Sequence, residues 1–204
     1  RRKTPSANQA KASAPAAQPS GPTLAFWQQR FESQRTPWDR GAVNPALAPL
    51  VASGVLAPGA RVLVPGCGAG YEVLQLAASG LRPVGVDYAP AAVELTRARL
   101  AQAGLAAEVV QADLLDWTPA APFDAIWDQA CLCALHPDLW VAYARRLAAW
   151  LRPAGTMILL AVQAERAGRL EGRIEGPPYH CDVNAVRALF PGELWQWPRP
   201  PYPR

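Results

Sequence analysis

From residue 61 onward the chain alternates short, β-prone apolar runs with stretches whose apolar residues recur at helical spacing. That alternation predicts a parallel sheet covered by helices on both faces. Residues 61–64, 83–87, 108–111 and 123–127 read as the first four strands. Residues 156–162 are apolar throughout and predict a fifth strand, placed at the centre because central parallel strands are buried on both faces. A last short strand is expected over 193–197, after which the proline-rich 198–204 cannot extend a sheet. Between the strands, 70–79 predicts a helix closed by Gly80. A second helix starts near Pro90, carries Val93, Thr96, Leu100 and Ala103 on one face, and stops at Gly104. A third shows Leu139, Tyr143, Leu147 and Leu151 at four-residue intervals before Pro153 and Gly155 end it, and a fourth covers 183–189. No internal repeat interrupts this order.

Ahead of the sheet, residues 23–56 have another texture: Phe26, Trp27, Phe31 and Trp38 are spaced among polar residues and followed by Pro-interrupted turns. These aromatics predict either a helix packed on the domain edge or a lid over a ligand. The expected organisation is therefore one domain over 23–204, with a cover at 23–56 and the sheet and helices at 57–204. Residues 1–22 contain no acid and no large apolar side chain, so they read as a disordered tail. The tail holds Arg1, Arg2, Lys3 and Lys11, four charges that equal the whole net charge of +4. The folded part is thus electrically balanced and carries no basic stripe for nucleic acid.

No apolar run approaches the roughly 18 residues of a membrane span. Cys67, Cys131, Cys133 and Cys181 are too few for a disulfide scaffold and lack C-x-x-C metal spacing, which points to a reducing cytoplasm. Grouping Cys131, Cys133, His136, His180 and Cys181 into a zinc site matches no usual spacing, so no metal is expected.

The chemistry lies in the turn after the first strand, Pro65-Gly66-Cys67-Gly68-Ala69-Gly70, where alternate glycines let the backbone approach a ligand beside a helix N-terminus. Asp87 ends the second strand, where an acid accepts the hydroxyls of an adenosine ribose, and Tyr88 follows it. Together they predict a Rossmann-like, doubly wound, mostly parallel α/β sheet that binds a nucleoside cofactor. The dinucleotide fingerprint G-x-G-x-x-G is replaced by G-x-G-x-G with Tyr71 at the last position, which favours a ligand without a diphosphate, S-adenosylmethionine. Asp113, with Leu114 after it, follows the third strand and either accepts from the adenine amino group or caps the next turn. Asp128, at the carboxyl end of the fourth strand, is read as catalytic, structural or cofactor-facing.

These residues resemble the thiopurine S-methyltransferase family, especially its thiol and halide methyltransferase branch. The similarity rests on Phe26-Trp27-Gln28-Gln29-Arg30-Phe31, Thr36-Pro37-Trp38-Asp39-Arg40-Gly41, Asn44-Pro45-Ala46-Leu47, the glycine loop, Gly85-Val86-Asp87 and Gly176-Pro177-Pro178-Tyr179. Val64 stands two residues before the first glycine, where most methyltransferases carry an acid, and this departure is itself similar to the family. The resemblance implies a class I methyltransferase in which Trp27, Phe31 and Trp38 cover the cofactor. It implies Gly66 and Gly68 at the amino-acid part, Asp87 and Tyr88 at the ribose, and Asp113 and Leu114 at the adenine. Asp128 and Gln129 fall near the methyl donor as catalytic residues, and Trp38 and Tyr179 beside the substrate. Two departures stand out: Gln129 replaces an Arg or Tyr common in the family, and the strand hairpin that usually ends the fold is reduced to one short run.

The implied reaction is transfer of a methyl group to a thiol, thiopurine, selenium or tellurium species, thiocyanate or halide by a monomer acting on a small-molecule acceptor. Such soft nucleophiles need no strong general base, so alignment in an aromatic pocket provides most of the acceleration. The alternatives are a cofactor-binding protein without activity, or an NAD-dependent reductase, which the glycine spacing and the lack of a Tyr-x-x-x-Lys pair disfavour.

Overall fold

In the computed structural model, which describes residues 21–163 and 167–200, five strands form one sheet. They are β1 (Arg61–Pro65), β2 (Arg82–Asp87), β3 (Glu108–Gln111), β4 (Phe123–Gln129) and β5 (Leu151–Leu160), in the order β3-β2-β1-β4-β5 with every pair parallel. The helices are α1 (Leu24–Glu32), α2 (Leu47–Ala52), α3 (Tyr71–Ala78), α4 (Pro90–Gln102), α5 (Cys131–Ala134), α6 (Trp140–Trp150) and α7 (Val183–Leu189). The chain moves outward from β1 to β3 and then returns to β4 on the other side of β1. The carboxyl ends of β1 and β4 therefore flank the point where the winding reverses, which is where open α/β sheets bind their ligands.

Alternation along β1 builds two core layers. Val62 and Val64 pack with Val73 and Leu76 of α3 and Val93 and Leu100 of α4, while Leu63 joins Ile126, Tyr143 and Leu147 on the opposite face. Each such side chain, fully buried, stabilises the fold by roughly 1.5–3 kcal/mol. On the expected face of α4, Val93, Thr96 and Leu100 are buried and Ala103 is exposed.

Three sequence expectations change. β5 lies at an edge of the sheet, paired only with β4. Its Met157 and Leu159 pack into one core layer and Ile158 and Leu160 into the other, so the continuous apolar run reports two covered faces and says nothing about its two edges. Residues 193–197 form no strand: Leu194 and Trp195 donate their backbone N–H to the Pro191 carbonyl, and the Trp195 ring meets Phe190 edge-on at 5.2 Å. Helix α6 stops at Trp150, before Pro153, because Leu151 already pairs with Phe123. The Pro153-Ala154-Gly155 segment then makes an irregularity, with Ala154 at φ 60°, before Thr156 pairs with Ala125.

Residues 1–20 of the expected tail, like residues 201–204, lie outside the described residues. Gly21 and Pro22 are partly covered, and a Cβ on Gly21 would press to 2.6 Å of His136 Cβ. No helix among the described residues is long and apolar enough to cross a membrane.

Candidate functional site

The loop from β1 into α3 takes its shape from left-handed glycines: Gly66, Gly68 and Gly70 have φ of 59°, 53° and 79°. It is pinned from three sides. Cys67 N–H donates to the Val86 carbonyl, Thr96 Oγ1 donates to the Gly68 carbonyl at 2.9 Å, and Gly68 N–H donates to Asp87 Oδ2 at 2.9 Å. A Cβ on Gly70 would lie 2.6 Å from Thr96, so this glycine lets α4 close on the loop.

Asp87 is 7% exposed, and its Oδ1 accepts the Ala89 N–H at 2.9 Å. Burial pushes its carboxyl above the usual carboxylate range, against the pull of these backbone donors. With backbone donors at Gly68, Ala89 and Tyr88, the carboxylate's roughly four lone-pair sites still leave room for a further donor. Tyr88 follows, partly buried. Because Asp87 pairs in register with Gln111, the turn after β3 comes beside it. There the Asp113 carboxylate accepts the Leu115 N–H at 2.8 Å and shapes the turn, while Leu114 is buried in the core.

The aromatic segment does cover this loop. α1 is capped by Thr23, whose hydroxyl accepts the Phe26 N–H, and it packs along α4, where Gln28 Oε1 accepts the Ala91 N–H at 2.9 Å. A Cβ on Gly68 would meet Phe31 Cζ at 3.8 Å, so the Phe31 ring lies over the loop. Trp38 is edge-on to Trp27 at 5.4 Å and to Phe31 at 6.1 Å, and it remains 43% exposed. Between cover and loop lies a hollow of about 90 Å³ lined by Trp38, Gly66, Gly68 and, from the end of β4, Gln129 and Ala130. Its position is the reversal point of the sheet.

The residues at the end of β4 divide into two roles. Asp128 is fully buried: Oδ1 accepts the N–H groups of Cys131 and Leu132, and Oδ2 accepts the Tyr143 hydroxyl at 2.8 Å. Burial raises its pKa to about 6. It starts α5 and holds Ala130 at φ 63°, and it does not line the hollow. Gln129 does line it, with Oε1 accepting the Trp127 indole N–H at 3.3 Å and satisfying a donor in the core. Tyr179 also stays out of the hollow. It is 6% exposed, donates its N–H to the Cys133 carbonyl at 2.7 Å, and sets its ring edge-on to His136 at 5.3 Å.

Sequence reading did not single out Thr96, Tyr143 or Glu72 as functional. The first two sat on predicted apolar helix faces, and a hydroxyl buried on such a face requires a partner, which was the available signal. Glu72, in the first turn of α3, is 8% exposed, accepts the Asn44 N–H at 2.9 Å and lines the hollow. All four cysteines are buried and free, and burial pushes the Cys67 and Cys131 thiols up. Among the described residues no group of three or more His, Cys, Asp or Glu is arranged to hold a metal ion.

The glycine cradle, the acid at the end of β2 and the aromatic cover fit a nucleoside cofactor, since a side chain at Gly68 would fill the gap beneath Phe31. Comparison with known proteins agrees. The family model described as thiopurine S-methyltransferase matches residues 22–197. A probable thiol methyltransferase of Arabidopsis thaliana is 36% identical over 167 residues, covering 80% of this chain and 70% of that protein. Thiopurine S-methyltransferase of Pseudomonas putida is 34% identical, covering 84% and 83%. Among solved structures, one concerning the conversion of a disulfide bond into a thioacetal group during echinomycin biosynthesis superposes with a TM-score of 0.70 at 25% identity, covering 83% of this chain and 77% of that one. Magnesium protoporphyrin IX methyltransferase from Synechocystis, with bound S-adenosylhomocysteine, shares the fold at a TM-score of 0.64 and 19% identity, covering 84% and 88%. The chain belongs to the thiopurine S-methyltransferase family and is a Rossmann-like, S-adenosylmethionine-dependent methyltransferase.

Proposed function

We propose that this enzyme methylates a small soft nucleophile, with thiols first and thiopurines, selenium or tellurium species, thiocyanate and halides as the wider class. The observation that carries the reading is the hollow at the sheet's reversal point, with the glycine cradle as its floor and Trp38 as its wall. Relatives named thiol, thiocyanate and thiopurine methyltransferase support the acceptor class. S-adenosylmethionine, when bound, would supply a sulfonium-borne methyl group for in-line transfer, with the nucleophile bonding to the methyl carbon and neutral S-adenosylhomocysteine as the leaving group. The protein's part is to hold, align and dry the pair, and positioning alone contributes roughly 7–11 kcal/mol at best.

In this reading the Gly66 and Gly68 backbone meets the amino-acid end, Asp87 accepts from the ribose, Asp113 and Leu114 border the adenine, and Phe31, Trp27 and Trp38 close over the top. Gln129 faces the acceptor with the amide nitrogen left by its bond to Trp127. Asp128 positions Gln129 and Ala130 from beneath and touches neither reactant. Tyr179 supports α5 as a positioning residue behind the substrate side. We further infer that the enzyme works as a monomer in the cytoplasm on a small molecule, without nucleic acid. Buried free thiols and the balanced charge of the folded part support that setting.

The test is a product assay with S-adenosylmethionine over alkyl and aryl thiols, a thiopurine, selenite, thiocyanate and iodide. S-methylated product from the thiols is expected. Tight cofactor binding with no product from any acceptor would leave a binding protein in place of an enzyme.

A further inference from the structure

A methyltransferase must hold the charged amino-acid end of its cofactor, and Val64, two residues before the first glycine of the loop, is 3% exposed, packed in the core and uncharged. The charge has to come from elsewhere. The hollow over Gly66 and Gly68 brings together Asp39, Arg40 and Glu72, and Arg40 is the one cation lining it among the described residues. Its lining mixes these three charged side chains with the glycine backbone of the loop.

Glu72 is the best prepared of the three. It is 8% exposed, and one oxygen is fixed at 2.9 Å by the Asn44 N–H, which holds the carboxylate in place without neutralising it. Its helix, α3, begins at the last glycine of the loop, so the carboxylate is registered to the cradle by six residues of ordered backbone from Gly66. Asp39 spends Oδ1 on the Gly41 N–H at 2.7 Å, shaping the turn that presents the exposed Arg40. The buried Glu72 carboxylate and the exposed Arg40 thus line one cavity with opposite charges, the complement of an α-ammonium and an α-carboxylate on one carbon.

We infer that Glu72 is the counter-ion for the α-ammonium group of the cofactor's amino-acid end, with Arg40 facing its α-carboxylate. This rests on the cofactor reading of the glycine loop and specifies which residues supply its charge recognition. The arrangement replaces an acid on β1 with one from the first turn of α3, and it couples cofactor binding to the 39–44 segment through the Asn44 amide.

Equilibrium calorimetry with three ligands tests it: S-adenosylhomocysteine, its decarboxylated analogue with a free amine, and 5′-methylthioadenosine, which lacks the amino-acid end altogether. Glu72→Gln keeps an oxygen for the Asn44 N–H and removes the charge. It is expected to weaken S-adenosylhomocysteine and the decarboxylated analogue about ten- to a hundredfold, the range for losing a hydrogen bond to a charged group, while changing 5′-methylthioadenosine less than about twofold. Arg40→Gln, on an exposed side chain, should weaken only S-adenosylhomocysteine. Equal losses for all three ligands in Glu72→Gln, or none for S-adenosylhomocysteine, would overturn the assignment. A wild-type protein that binds none of the three would overturn the cofactor reading together with it.

Discussion

At the scale of single residues, the two buried aspartates at the strand ends carry different burdens. Asp87 accepts from Gly68 and Ala89 and is the proposed ribose acceptor. Asp87→Ala should cost about 1–3 kcal/mol of S-adenosylhomocysteine affinity by calorimetry, and an unchanged affinity would remove Asp87 from the site. Asp128 is raised to about 6 because burial outweighs its donors. Its folded pKa therefore lies above its unfolded one, the folded state binds the extra proton, and this group's stabilising contribution is full at low pH and is lost as pH rises through about 6. Denaturant unfolding of wild type and Asp128→Asn between pH 4 and 7 should show the wild type losing stability relative to the variant by up to about 3 kcal/mol as pH rises. A difference flat with pH would mean that Asp128 titrates normally.

At the scale of elements, the sequence was most legible where one cause dominates. The strands and helices from residue 61 to 129 lie within a residue or two of their predicted bounds, because alternation, Pro90 and the glycines at helix ends act locally. β5 was misplaced because strand order is decided by crossovers, which leave no trace in the run of Thr156 to Leu160 itself. Trp195 and Trp197 look β-prone yet pack on the core as loop residues. In the site, the glycine loop and Asp87 were readable from spacing, whereas Asp128's inward orientation and Glu72's approach to the hollow depend on which way one strand end and one helix turn face. The tightest joint between elements is Gly70 against Thr96. Gly70→Ala should destabilise the fold by about 1–3 kcal/mol from overpacking, with a further cost of about 1–2 kcal/mol for a left-handed alanine. Thermal unfolding would show it as a drop of several degrees, and an unchanged midpoint would mean that α4 does not close on the loop as described.

At the scale of the whole molecule, the sheet and its helices form a well-buried body, while α1 buries no residue fully and Trp38 stays 43% exposed. Segments with few buried contacts open at low free energy. A ligand gripped between cover and cradle should therefore slow amide hydrogen exchange across residues 24–41 by about tenfold or more, with little change in β1 or β4. Exchange indifferent to saturating S-adenosylhomocysteine would mean that the aromatics are fixed packing and no lid.

The joint at Gln28 ties this opening to the body. The second residue of α4 has its N–H satisfied by a glutamine borrowed from α1, since Ala89, at the cap position, has no side chain able to do so. Swinging α1 away strips that helix of its cap, a change of about 1 kcal/mol at the end of the same helix whose Thr96 steadies the glycine loop. If the exchange experiment shows α1 to be a lid, its departure would loosen the floor as well, and entry and release of the nucleoside would then involve the ceiling and the foundation of the crevice in one motion.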